Sequence, residues 1–143
     1  MKRSRHHTGW SGALGVASEL SRRGYDAAIT LGNTPSLDLI CSSPGRKRFT
    51  VQVKSNTTKT WVRIRKEALE LDPQPDLFFA FVFIPTDSTM PLEYCILTSA
   101  EIHEAYLRQP KVRRDGQPYK LGSAGIAWRE VQPHASRWDK LPQ

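Results

Sequence analysis

Ser36-Leu37-Asp38-Leu39-Ile40-Cys41-Ser42-Ser43-Pro44-Gly45-Arg46-Lys47-Arg48-Phe49-Thr50-Val51-Gln52-Val53-Lys54 is the stretch on which the fold turns. Its second half alternates cleanly. Phe49, Val51 and Val53 fall on one side of an extended chain, and Thr50, Gln52 and Lys54 on the other, so it reads as a half-buried strand. Its first half, Ser36 to Cys41, is a shorter apolar strand that carries one acid, Asp38. Ser42-Ser43-Pro44-Gly45 between them is turn chemistry, so the two strands are expected side by side. Gln52 and Lys54 leave the same face, and the pairing brings Asp38 towards them.

Outward from this hairpin the rest of the chain falls into place. Upstream, Trp10, Ala13, Leu14, Ala17 and Leu20 recur at helical steps between Trp10 and Arg23, with Thr8 as the expected N-cap and Gly24 as the terminating glycine. Tyr25 to Leu31 reads as a first strand, closed by the Gly32-Asn33-Thr34-Pro35 turn. Downstream, Trp61 to Leu71 reads as a strand and then a helix, or as one irregular helix, ended by Asp72-Pro73-Gln74-Pro75. Leu77 to Ile84 is a continuous apolar run, as in a strand covered on both faces. Leu92 to Leu97 is another strand, and Ser99 is the expected cap of a helix to Leu107, with Glu101 and His103 facing solvent. A strand-like piece, Gly125 to Val131, interrupts a tail rich in Pro, Gly and charge. The order implies an α/β sandwich, a mixed central sheet flanked by helices. At 143 residues it fits one domain, with a core over about 9–108 and a basic extension over 109–143.

Composition narrows the function classes. The hydrophobic fraction of 38% is that of a globular chain. The longest apolar run, eight residues, is far short of the ~20 that cross a bilayer. The basic N-terminus, Lys2-Arg3-Ser4-Arg5, is followed by no apolar segment of a secretory signal. Cys41 and Cys95 sit in separate apolar runs and read as reduced core thiols, so a cytoplasmic setting is expected. Neither the cysteines nor His6, His7, His103 and His134 show zinc spacing. The net charge is +7, from 21 Lys and Arg against 14 Asp and Glu. The excess clusters at Lys2/Arg3/Arg5, Arg22/Arg23, Arg46/Lys47/Arg48, Arg63/Arg65/Lys66 and Lys111/Arg113/Arg114, as a phosphate-neutralising surface or merely a solvated one would require. Trp10, Trp61, Trp128 and Trp138 are of a kind that either stacks on bases or packs in a core.

The motifs Leu20-Ser21-Arg22-Arg23-Gly24-Tyr25, Asp38-Leu39-Ile40 and Val51-Gln52-Val53-Lys54-Ser55, in that order and spacing, resemble the PD-(D/E)XK nuclease-like superfamily. The resemblance is to its archaeal Holliday-junction-resolvase branch and, more closely, to bacterial endonuclease-like domains. Pro75-Asp76-Leu77-Phe78-Phe79 and Leu92-Glu93-Tyr94-Cys95-Ile96-Leu97 are similar to the strands completing that restriction-endonuclease-like core. The resemblance implies a metal-dependent DNA endonuclease, a hydrolase with Asp38, Gln52 and Lys54 as its site. Asp38 and Gln52 would hold magnesium, or manganese. Arg22, Arg23, Arg46, Lys47, Arg48, Lys59, Arg63 and Arg65 are candidate phosphate contacts, and a homodimer is implied as well. Two departures go with it. Gln52 stands where an acid is usual, and Ala13 stands where the family carries a helix glutamate, with Glu19 the nearest acid. They leave open an alternative, a catalytically weak or inactive nuclease-fold module that binds nucleic acid or a protein partner, and a third, a subunit of a defence or mobile-element complex docked through its basic surface.

Overall fold

The computed structural model describes residues 2–30, 37–70, 72–110, 112–118 and 124–143; the expected turn at 32–35, Leu71 and Lys111 lie outside them. In chain order the elements are α1 (Arg5–Arg22), β1 (Asp26–Ile29), β2 (Leu37–Ser42), β3 (Arg48–Asn56), β4 (Trp61–Arg63), α2 (Lys66–Glu70), β5 (Leu77–Phe83), β6 (Glu93–Thr98), α3 (Ser99–Arg108), β7 (Gly125–Ala127) and α4 (Trp128–Val131). Two 3-10 turns, Gln132–His134 and Trp138–Lys140, end the chain.

Five strands form one mixed sheet in the order β1-β2-β3-β5-β6. β1, β2 and β3 are an antiparallel meander, β5 joins β3 in parallel, and β6 returns antiparallel to β5. The parallel step follows from the length of the 57–76 segment, which is long enough to cross over and carries β4 and α2. β4 pairs with β7 in a separate small sheet. The expected α/β sandwich is what forms.

The two faces of the sheet are covered differently. On one, α1 packs Val16 and Leu20 against Leu39, Cys41, Phe49, Val51, Val53, Phe78 and Ala80. On the other, Phe79, Phe81, Cys95 and Leu97 meet Ile102 of α3, Leu69 of α2, and Val62, Ile126 and Trp128 of the small sheet and α4. β5 supplies residues to both cores, which is why its sequence is apolar without alternation.

Sequence periodicity misplaced the start of α1. Ser4, not Thr8, is the N-cap, its side chain accepting from the His7 N–H. Thr8 lies inside the helix, buried, and donates its hydroxyl to the Ser4 carbonyl at 3.0 Å. The buried stripe is Thr8, Gly12, Ala13, Val16 and Leu20, and Leu14 is 55% exposed. Small residues shift the stripe because they let the helix sit close. A Cβ on Gly12 would come within 1.9 Å of Ser55 Oγ on β3. At the far end Gly24 has φ +83, with Gly24 N–H donating to Ser21 O and Tyr25 N–H to Leu20 O, a Schellman cap closed by Tyr25 and Leu20 in the same core.

Three further expectations change. Thr98 rather than Ser99 caps α3, in a reciprocal capping box with Glu101. Glu101 and His103 do not simply face solvent: Glu101 is bound by Lys140, and His103 Nδ1 lies 2.8 Å from Leu69 O. The Gly125–Val131 piece is strand only to Ala127 and then turns into α4. The C-terminal extension is part of both cores, through Ile126, Trp128 and Val131 on one face and Trp138 and Leu141 on the other.

Candidate functional site

Asp38 of β2 stands directly opposite Gln52 of β3 in the antiparallel register, and Lys54 follows two residues on. The register is held by the apolar partners on the other parity, Leu39 and Cys41 against Val51 and Phe49, because a one-residue slip would turn every one of them out of the α1 core. The row Asp38, Gln52 and Lys54 therefore points away from α1, onto the face that carries Phe79 and Phe81 of β5. Exposure rises along β2: Ile40, next in the row after Asp38, is 57% exposed.

Arg65, in the link from β4 to α2, reaches this row. Burial pushes the Asp38 carboxyl above its ordinary range, while Lys54 and Arg65 pull the other way. Burial holds the Lys54 ammonium below its ordinary range, Asp38 opposing and Arg65 reinforcing the shift. Asp38 Oδ1 is buried without a hydrogen-bond partner among the described residues. Leaving a buried acceptor unpaired costs about 1–3 kcal/mol, so such an atom calls for a reason. Beside the row opens a cleft of about 430 Å³, lined among others by Thr50, Gln52, Arg65, Asp72, Gln74 and Asp76.

The candidate phosphate contacts fall into two groups. Arg22 and Arg23 end α1, Arg46 and Lys47 lie in the β2–β3 turn and Arg48 opens β3, packed nearby through Gly24 and Pro44. That group lies about 20 Å from Lys54, six residues of strand away. Within it Glu19 binds both Arg22 and Arg23, and Arg23 also stacks over Trp138 at 4.6 Å. Lys59, Arg63 and Arg65 belong to the site end. Lys59 bonds Glu93 at 2.7 Å and lies over the Phe83 ring, so it anchors its loop. Arg3 also belongs to the site end, donating to the carbonyl of Pro85 just beyond β5.

The helix positions settle differently. Ala13 is fully buried in α1, on the sheet face opposite the row, and Glu19 is tied up at the distal end of that helix. Among the described residues no three His, Cys, Asp or Glu side chains come together as a metal centre. The donor set at the row is one carboxylate, with a free oxygen, and the amide of Gln52. That suits a hard cation that keeps most of its waters, at less charge than a pair of acids would supply. The motifs did not point to Asp72, Gln74 and Asp76 as cleft walls: Asp72 and Gln74 fell in a Pro-broken stretch read as a break, and Asp76 in the motif read as the start of a core strand. The fold and row together define an α/β sandwich with an acid–amide–lysine constellation at an open sheet face. No protein-family model, curated protein or solved structure matches the chain.

Proposed function

We propose that the row is the active site of a metal-dependent endonuclease that hydrolyses DNA phosphodiester bonds, in the manner of the PD-(D/E)XK superfamily. The observation that carries this reading is the unpaired, buried Asp38 Oδ1 in the strand pair that places Asp38 opposite Gln52, with Lys54 two residues on and the charge of Arg65 acting on both Asp38 and Lys54. In this reading Asp38 Oδ1 and the Gln52 amide oxygen hold magnesium or manganese, which when bound supplies neutralisation of phosphate charge and acidification of water. Lys54 sits where it can stabilise the charge that grows on the phosphoryl oxygens as water adds and the P–O bond to the leaving strand breaks. Its lowered pKa suits exchange of a proton near neutral pH better than an ordinary lysine. Arg65 neutralises a neighbouring phosphate and, with Lys54, opposes the burial that raises the Asp38 carboxyl.

A second reading has its own observation. With Ala13 buried on the far face and Gln52 neutral, the row itself has one carboxylate, which favours a module that binds nucleic acid without cutting it. Nicking of supercoiled plasmid and of branched DNA with magnesium or manganese separates the two. Metal-dependent cleavage lost in Asp38→Ala and in Lys54→Ala is the expected result. Salt-sensitive binding with no cleavage would give the site to the binding module, and cleavage surviving Lys54→Ala would remove the assignment.

A further inference from the structure

Trp61 is the one tryptophan of the four with an exposed ring: Trp128 and Trp138 are buried in the two cores, and Trp10 is half-covered beside His6. Trp61 is 41% exposed. β4 alternates Trp61 out, Val62 in, Arg63 out, and Ile64 then returns to the core. Arg63 thus shares the outward side with Trp61, about 7 Å further along.

The ring is seated rather than loose. Gly125 of β7 lies across from Arg63, and the Trp61 indole leans over it diagonally. A Cβ on Gly125 would stand 2.7 Å from Trp61 Nε1 and 2.2 Å from the Val62 carbonyl oxygen, so only glycine gives the ring this bed. The strands beneath are clamped. Gln109 at the end of α3 donates to Gly125 O at 2.7 Å and accepts from Ala127 N–H at 3.1 Å, and Trp128 N–H donates to Thr60 O at 2.9 Å. One further bond ties this platform to the row. Asn56, two residues past Lys54 on the same strand, donates from Nδ2 to Trp61 O at 3.1 Å. β4 therefore starts beside Asn56, and the chain leaving it brings Arg65 near enough for its charge to act on Asp38 and Lys54.

We propose that the outward side of β4 is a binding track for single-stranded nucleic acid, with one base stacked on Trp61, the adjoining phosphate on Arg63, and the strand continuing past Arg65 to the Asp38–Lys54 row. A flat, immobilised aromatic beside guanidinium groups recognises an unpaired base and its phosphate whatever the sequence, whereas a duplex keeps its base faces inside its own stack. The net charge of +7 supplies the complementary field. The proposal rests on the same row as the nuclease reading but adds the substrate class, unpaired or splayed strands.

The test is fluorescence anisotropy of a labelled oligothymidylate and of a duplex of equal length, with chelator present so that no cleavage intrudes. The intact chain is expected to bind the single strand more tightly than the duplex. Trp61→Ala is expected to weaken single-strand binding roughly tenfold or more, the range seen for one stacked base, with Trp61→Phe retaining most of the affinity and both variants keeping the thermal transition. Equal affinity of the intact chain and Trp61→Ala for the single strand, or equal affinity of the intact chain for both probes, would overturn it. Because the readout needs no metal, an uncleaved plasmid with Trp61-dependent binding would fail the nuclease reading alone. Cleavage of junction or duplex DNA indifferent to Trp61→Ala would fail the track alone.

Discussion

Two sets of buried charge lie against the central sheet, and they are finished differently. At the C-terminal clasp, Lys140, only 9% exposed, donates to both oxygens of Glu101 at 2.8 Å, to Ile96 O at 3.1 Å and to His134 Nδ1 at 2.5 Å. Glu101 Oε2 also accepts the Thr98 N–H of its own capping box at 2.8 Å. An ammonium has three donors, and every one is used. In the row on β2 and β3, Asp38 Oδ1 has no partner among the described residues, and burial works against the charge of both Asp38 and Lys54. The first cluster holds the chain end to the sheet. The second retains an unused buried acceptor on the strand pair beside the cleft, which stability alone does not explain.

If that contrast is right, the largest effects of substitution separate by readout. Lys54→Ala is expected to lower cleavage by about 10²–10³-fold, the loss typical when one group that stabilises developing charge is removed, with the melting temperature little changed. Lys140→Met is expected to do the reverse. It strands Glu101 and His134 and costs about 3 kcal/mol, read as a melting transition roughly 10 °C lower, while leaving any cleavage per folded molecule intact. A Lys54→Ala chain that unfolds, or a Lys140→Met chain as stable as the parent, would erase the distinction.

Asp38→Asn sharpens it further. The folded pKa of Asp38 lies above the unfolded value of 3.8, so its contribution to stability is intact below that value and lost as pH rises through the folded pKa. Ionised Asp38 therefore costs stability at neutral pH, and Asn, which mimics the protonated acid, is expected to raise the melting temperature by a few degrees at pH 7 while abolishing cleavage. The gain is expected to vanish near pH 3, where the parent's acid is protonated too. The Lys54 shift narrows the pH profile of cleavage from the alkaline side, its alkaline limb lying below that of an ordinary lysine. Lys54→Arg is expected to carry the alkaline limb upward in whatever activity it retains, and an unmoved limb would assign it to another group.

The row was legible in the sequence because it depends on local rules. Alternation from Phe49 to Lys54 and the Ser43-Pro44-Gly45 turn fix strand, face and neighbour, so Asp38 against Gln52 follows from the pleat. The clasp was not legible, because its members are far apart in the chain. Glu101 and Lys140 are joined only by tertiary packing, and Glu101 read as a surface residue of its helix until the tail folded back on it. The same is true of Arg65, whose number in the chain says nothing of Asp38, and of the bed that Gly125 makes for Trp61. Thr8 misled for the opposite reason. It is a good capping residue, but Ser4 offers the same oxygen one turn earlier, and Thr8 then finds a better place inside the helix, bonded to the Ser4 carbonyl.

The smallest effect tests whether the clasp titrates as one unit. His134 is held below its usual pKa by burial and by the Lys140 charge, with Glu101 opposing and Arg137 and Arg108 reinforcing. Lys140 donates to Nδ1, so the ring must be neutral there to accept. A histidine whose folded pKa lies below the unfolded 6.5 gives stability that is complete above that value and is lost as pH falls through the folded pKa. Glu101, whose carboxyl feels burial pushing up but is carried below its usual range by Lys140 and the Thr98 N–H, yields its share only at lower pH, beneath 4.5. The parent chain is therefore expected to lose melting temperature in a first, shallow step below pH 6.5 and a second below 4.5. His134→Gln, whose amide oxygen accepts from Lys140 at any pH, is expected to lack the first step and keep the second. Scanning calorimetry from pH 8 to 3 reads both. Identical curves for the two chains would mean that Lys140 does not need His134, and the clasp would reduce to the Glu101–Lys140 pair and the Ile96 carbonyl.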